Sequence, residues 1–143
     1  MEVLNCLQNT SGFEETKTKL QELKLIVKEY PEMDLYLVKY NKQECDMSNN
    51  DVKNCRGLIA QMSNNKLVCL PPIKSEIYRQ DQDWSKVRVE DFIDGTNINL
   101  FYHNGEWKIS TRSNIGANCR WSSNRYFSDL FTESSTSINF AEL

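Results

Sequence analysis

"FIDGTNINLFYHNGEWKISTRS", residues 92–113, holds two alternating polar and apolar runs, each entered through a turn dipeptide, Asp94-Gly95 and Asn104-Gly105. Both dipeptides tolerate the positive φ that two-residue hairpin turns require, so the stretch predicts two β-hairpins with strands over "TNINLFY" (96–102) and "EWKISTR" (106–112). Upstream, short β-like runs recur at "DLYLVKY" (34–40), "CRGLIAQ" (55–61), "KLVCL" (66–70) and "VRVEDFI" (87–93), with "MSNND", "SNN" and "PP" among the turn material between them. Consecutive strands joined by short turns pair mainly antiparallel.

One helix precedes them. "TSGFEETKTKLQELKLIVKEY" (10–30) sets Ser11 three residues before Glu14, a capping-box spacing, and places Leu20, Leu23, Ile26, Val27 and Tyr30 at helical intervals. The pattern predicts an amphipathic helix ending before Pro31, with its alternating Lys and Glu forming a solvated face. "NRYFSDLF" (124–131) predicts a second, short helix, followed by extended or irregular chain. The fold class is therefore α+β: a mainly antiparallel sheet with the N-terminal helix on one side. No internal repeat is visible.

The 143 residues suit one domain, 1–143, with one modest core. A net charge of −3 and a pI near 5.2 argue against a protein that coats nucleic acid through bulk charge, but leave room for a local basic pocket. Five cysteines without a CxxC pair, beside a single histidine, point away from zinc and toward reduced thiols in a cytoplasmic compartment. No run has the length of a membrane span, and the N-terminus lacks the order of a signal peptide. His103, beside Asn104-Gly105, reads as a turn residue and not a catalytic base.

Three stretches carry residues suited to chemistry, and each has a plain structural explanation by itself. Arg56 and Gly57 open a strand, Lys74 follows a rigid Pro-Pro, and the stretch from Asp94 to Arg112 reads as hairpins. Taken together their order is more telling: Arg56-Gly57, Lys74 eighteen residues on, Asp94-Gly95, then Ser110-Thr111-Arg112. This order resembles the adenylation domain of ATP-dependent RNA ligases, within the covalent nucleotidyltransferase superfamily that also holds DNA ligases and mRNA capping enzymes. The resemblance covers residues 55–116 and looks closest to ligase-like proteins of large DNA viruses and phages.

The resemblance implies an ATP-grasp-like nucleotidyltransferase subdomain with ATP and Mg²⁺ as cofactors. Arg56, Gly57, Lys74, Asp94, Gly95, Thr96 and Arg112 would be its nucleotide-binding residues, and Ser110 and Thr111 would lie on the strand of the third motif. In that family a lysine of a Lys-x-Asp-Gly motif attacks the α-phosphorus of ATP and releases pyrophosphate. Here the position three residues before Gly95 is Phe92, which has no nucleophilic atom, and Lys86 lies six residues earlier. The family's downstream Glu-Gly and Lys-x-Lys strands find no counterpart: after Gly116 the charged residues are Arg120, Arg125, Asp129, Glu133 and Glu142, with no lysine. The expectation is the N-terminal part of such a domain, degenerate or shortened, with no catalytic residue, that binds a nucleotide or an RNA end. For a viral protein, host cytoplasm or virion would be its place.

Two other readings compete. A virion or interaction protein built on a ligase-derived fold would use protein partners or self-assembly and expose an aromatic patch around Trp84, Trp107, Trp121, Tyr126 and Phe127. An unrelated α+β domain would leave Arg56, Lys74, Asp94 and Arg112 apart in space.

Overall fold

In a computed structural model, which describes residues 3, 7, 9–75, 83–91 and 94–143, a helix, here α1, runs from Phe13 to Glu22. Its N-terminus is built one residue later than the sequence spacing predicts. Gly12 is the N-cap, and the Ser11 backbone N–H and hydroxyl both donate to Glu15 Oε2, at 2.9 and 2.8 Å. Lys19, one turn on, pairs with Glu15 at 2.7 Å. Hydrogen bonds from Lys19 and then Ser11 hold the Glu15 carboxyl down from its ordinary 4.5 to about 2. A depressed carboxyl contributes its stabilisation above the unfolded value and loses it as pH falls through the folded one. We therefore expect acid titration followed by helix circular dichroism to show a loss between about pH 4.5 and 2 that Glu15→Gln removes.

The predicted helix does not continue to Tyr30. Lys24 turns left-handed at φ 58°, and Ile26–Tyr30 forms strand β1. The apolar spacing of "LKLIVKEY" fits a helix, but Ile-Val is β-branched and the segment pairs antiparallel with β2 (Leu35–Lys39), Ile26 opposite Lys39 and Tyr30 opposite Leu35. Pairing in the sheet outweighs local period here.

Strands β3 (Arg56–Gln61) and β4 (Leu67–Cys69) complete an antiparallel sheet of order β1-β2-β3-β4. Between β2 and β3 lies α2 (Asn50–Asn54), read from sequence as turn material; Asn49 caps it, its Oδ1 accepting from the Asp51 N–H at 2.8 Å. A second antiparallel sheet holds β5 (Asn99–His103), β6 (Glu106–Thr111) and β7 (Asn114–Ile115). Asn104 and Gly105, at φ 51° and 82°, make the predicted hairpin turn between β5 and β6.

The first sheet is covered on both faces. Tyr36, Val38, Leu58 and Ala60 pack with Phe13 and Leu20 of α1, and Leu35, Leu37 and Ile59 pack with Phe101 and Ile115 of the second sheet. That is why "LYLV" is apolar without interruption: all four side chains are buried. The layers are helix, sheet, sheet.

Residues 87–91 form no strand, contrary to expectation. Trp84–Lys86 is a 3₁₀ turn, and Val89 beyond it is 82% exposed. Alternation alone makes no strand without a neighbour to pair with, so Asp94-Gly95 joins no hairpin. The C-terminal helix, α3, occupies Phe127–Ser134 rather than 124–131, and Phe140–Glu142 adds a 3₁₀ turn to the expected extended or irregular tail. Cys45, Cys55, Cys69 and Cys119 are free thiols, Cys55 pushed up to about 12 by burial. No helix among the described residues is long and apolar enough to cross a membrane.

Candidate functional site

The second sheet meets the first most closely at the start of β3. A register shift between Val38 and Lys39 brings Lys39 opposite Arg56, and the next residue, Gly57, takes φ +97°. A Cβ on Gly57 would lie 2.9 Å from both the Cα and the carbonyl oxygen of Arg112. Only glycine lets the two backbones pass. Arg112 and Ser113 form the two-residue turn between β6 and β7, with Thr111 paired opposite Asn114. Of the predicted residues, Gly57 and the Arg112 backbone come into contact here.

The Arg112 side chain crosses to Tyr40. Its Nη2 donates to the Tyr40 carbonyl at 3.1 Å, and its guanidinium lies 4.5 Å from the centre of the Tyr40 ring. Its Nε is buried and has no hydrogen-bond partner. An orphaned buried donor on a charged group is costly unless something accepts from it. Beside it, Lys39 Nζ donates to Ser113 Oγ at 3.3 Å, and partial burial, with Arg112 and then Lys28 nearby, lowers the Lys39 pKa. Lys28 sits over the Tyr30 ring at 5.2 Å. Tyr30 in turn fastens β7, its hydroxyl donating to Asn114 Oδ1 at 3.3 Å and accepting from the Ile115 N–H at 3.1 Å.

Lys28, Lys39 and Arg112 thus gather where the sheets meet, with Arg56 opposite Lys39 in the ladder, and among the described residues no carboxylate lies within ion-pair distance of any of the four. Such a group of cations attracts phosphate oxygens. Lys28, Lys39, Tyr40 and Ser113 were not singled out by sequence. "VKYNK" carried the signal only weakly, because the pairing of Lys39 with Arg56 depends on the β2–β3 register.

The remaining predicted residues stand differently. Lys74 is half-buried, its Nζ donating to the adjacent Ser75 carbonyl at 3.3 Å. Asp94, Gly95 and Thr96 are exposed, and a Cβ on Gly95 would meet nothing within 4 Å. Among the described residues, no hydrogen bond or ion pair joins Lys74 or residues 94–96 to Arg56, Gly57 or Arg112. Ser110 and Thr111 are buried, Ser110 Oγ accepting from Asn99 Nδ2 at 3.2 Å, so they hold the second sheet together. Phe92 lies outside the described residues.

His103 is not a turn residue. It ends β5, is 6% exposed, and meets the Met33 carbonyl through Nε2 at 3.0 Å; a carbonyl only accepts, so Nε2 carries the proton. Of the aromatic residues expected to form a patch, Trp107 pairs edge-on with Tyr102 at 5.3 Å, and its indole N–H donates to the Phe140 carbonyl at 2.7 Å. Trp121 is 83% exposed.

No family model and no solved structure matches the chain. A curated protein of Autographa californica nuclear polyhedrosis virus, named "Putative bifunctional polynucleotide kinase/RNA ligase", is 28% identical over 115 residues. The match covers 71% of this chain and 17% of that protein. The chain therefore spans about a sixth of its relative's length. The order of Arg56-Gly57, Lys74, Asp94-Gly95 and Arg112 and this viral match agree on a distant relationship to RNA ligases.

Proposed function

We propose that the chain is an RNA ligase-like nucleotidyltransferase domain, ATP-grasp-like in arrangement, that binds a nucleotide or an RNA end without forming the covalent adenylate. Arg56, Gly57 and Arg112 form the centre of the site; Lys74, Asp94, Gly95 and Thr96 flank the ligand once it is bound. The observation that carries this reading is the closure of Gly57 on the Arg112 backbone, which brings the start of β3 against the β6–β7 turn with, among the described residues, no carboxylate paired to either arginine. The buried, unpartnered Nε of Arg112 suits a phosphate oxygen. Mg²⁺ would enter with the nucleotide, held on its phosphates, since no group of three or more metal-ligating side chains occurs among the described residues. Phe92 stands in the nucleophile's position and cannot attack phosphorus. By kinship with the viral relative, host cytoplasm is the proposed location.

The test is intact-mass measurement and thermal unfolding after incubation with ATP or GTP and Mg²⁺ or Mn²⁺. The expected result is no gain in mass and a raised melting temperature, since ligand at a hundred times Kd stabilises by about 2.7 kcal/mol. A gain of one AMP or GMP would show that a lysine replaces Phe92, and peptide mapping would begin with Lys74. No adduct and no thermal shift would refute nucleotide binding and favour the scaffold role.

A further inference from the structure

Lys39 and Arg56 face each other across the β2–β3 ladder, an arrangement that like charges directly opposite make unfavourable. Lys28 adds to it. On β1 it lies opposite Leu37, and so diagonal to Lys39 on the same face of the sheet. The turn residue Ser113 supplies a hydroxyl 3.3 Å from Lys39 Nζ, and Arg112 adds a buried Nε–H with no acceptor. Other cations of the protein are ion-paired, Lys17 with Glu29, Lys19 with Glu15, Lys86 with Asp83, Arg88 with Glu90 and Lys108 with Glu106, whereas these lie beside one another without a carboxylate among the described residues. Glu29 follows Lys28 directly yet points to Lys17, from the other face of the strand. Among the described residues the four cations have no ion-pair partner.

We propose that Lys28, Lys39, Ser113 and Arg112 form a phosphate-binding site whose ligand is a terminal phosphate, carried by a nucleotide or by the 5′ end of an RNA strand. The proposal rests on the function inferred above and adds to it the residues that hold the phosphate. Lys39 is the central contact, because it alone touches the turn, faces Arg56 and neighbours Lys28. Ser113 Oγ, which accepts from Lys39, is left with its own proton to donate to a phosphate oxygen. The pKa of Lys39 is lowered first by partial burial and then by Arg112 and Lys28 nearby, and a bound dianion would offset the part due to the two cations.

The probe is pyrophosphate, titrated calorimetrically into the full chain and into Lys39→Gln, Lys28→Gln and Lys39→Arg. ATP against adenosine, and a 5′-phosphorylated against a 5′-hydroxyl oligoribonucleotide, form the two source arms. We expect Lys39→Gln to weaken pyrophosphate about ten-fold or more, Lys28→Gln to weaken it about three-fold, and Lys39→Arg to retain most of the affinity. In phosphate-free buffer Lys39→Gln should melt no lower than the parent chain, because it relieves repulsion. A Lys39→Gln loss in the ATP arm assigns the site to a nucleotide, and a loss in the phosphorylated-RNA arm assigns it to an RNA end. Pyrophosphate binding equal in the parent and Lys39→Gln, or absent from both while ATP still binds, overturns the site and leaves nucleotide binding standing. Pyrophosphate binding that depends on Lys39, with neither ATP nor RNA bound, supports the site and refutes the nucleotide reading.

Discussion

Gly57→Ala is expected to lower the unfolding free energy by about 3 kcal/mol or more and to abolish ligand binding. Two costs add. At φ +97° an L side chain is strained, which costs about 1–3 kcal/mol. The new methyl would also press on the Cα and carbonyl oxygen of Arg112, each 2.9 Å away, and overpacking of that kind costs about 1–3 kcal/mol. These are backbone atoms in a two-residue turn and cannot swing aside as a flexible side chain would. Gly105 is the natural control: it also has positive φ, at 82°, but open space around it, so Gly105→Ala should show the strain alone. Urea unfolding of both variants measures the difference. A Gly57→Ala loss no larger than that of Gly105→Ala would mean that the two sheets do not meet closely at this point.

Arg112→Ala should have the second largest effect, on binding more than on folding. In the free protein the side chain contributes a charged hydrogen bond to the Tyr40 carbonyl and a contact with the Tyr40 ring, together worth about 2–3 kcal/mol. Against that stands the buried Nε without a partner, whose removal returns part of the loss. Arg112→Met, which keeps much of the volume and removes the orphaned donor, should accordingly unfold less easily than Arg112→Ala. Affinity for a phosphate ligand should fall about ten- to a hundred-fold in both. Arg112→Lys should not restore it, since one ammonium cannot stack on Tyr40, reach its carbonyl and present a fork of donors to a phosphate. Calorimetric titration with ATP, beside urea unfolding, separates the two effects. Equal ligand affinity in all four proteins would remove Arg112 from the site.

Much of the scaffold was legible because its signals were local. Asn104-Gly105 marks a turn by backbone preference alone, and "DLYLVKY" and "CRGLIAQ" are apolar enough to be strands covered on both faces. The misreadings arose where a partner decides the structure. Ile26, Val27 and Tyr30 suit a helix face as well as a strand, and only the register with β2 selects the strand. "VRVEDFI" alternates like a strand but has no neighbour over residues 87–91. Helix α2 is five residues long and rests on one Asn cap, too little for periodicity to register.

The site divides in the same way. Motif order singled out Arg56, Gly57 and Arg112, and of these the fold brings Gly57 against the Arg112 backbone. Lys39 and Lys28 were invisible as candidates because an isolated lysine in a strand is ordinary; what distinguishes them is their nearness to each other and to Arg112, which only three-dimensional neighbours reveal. His103 looked like turn chemistry because it precedes Asn-Gly, but it is the last residue of β5 and binds the Met33 carbonyl across the sheets.

The most direct test of the account is a nuclear magnetic resonance titration of the ¹⁵N-labelled chain with ATP and Mg²⁺, reading which backbone amides shift. The saturable shifts are expected to centre on Lys39, Arg56, Gly57, Arg112 and Ser113, with Tyr102 and Trp107 unmoved. Shifts confined to the recess lined by Tyr102, Trp107 and Phe140, or none at any ATP concentration, would contradict it.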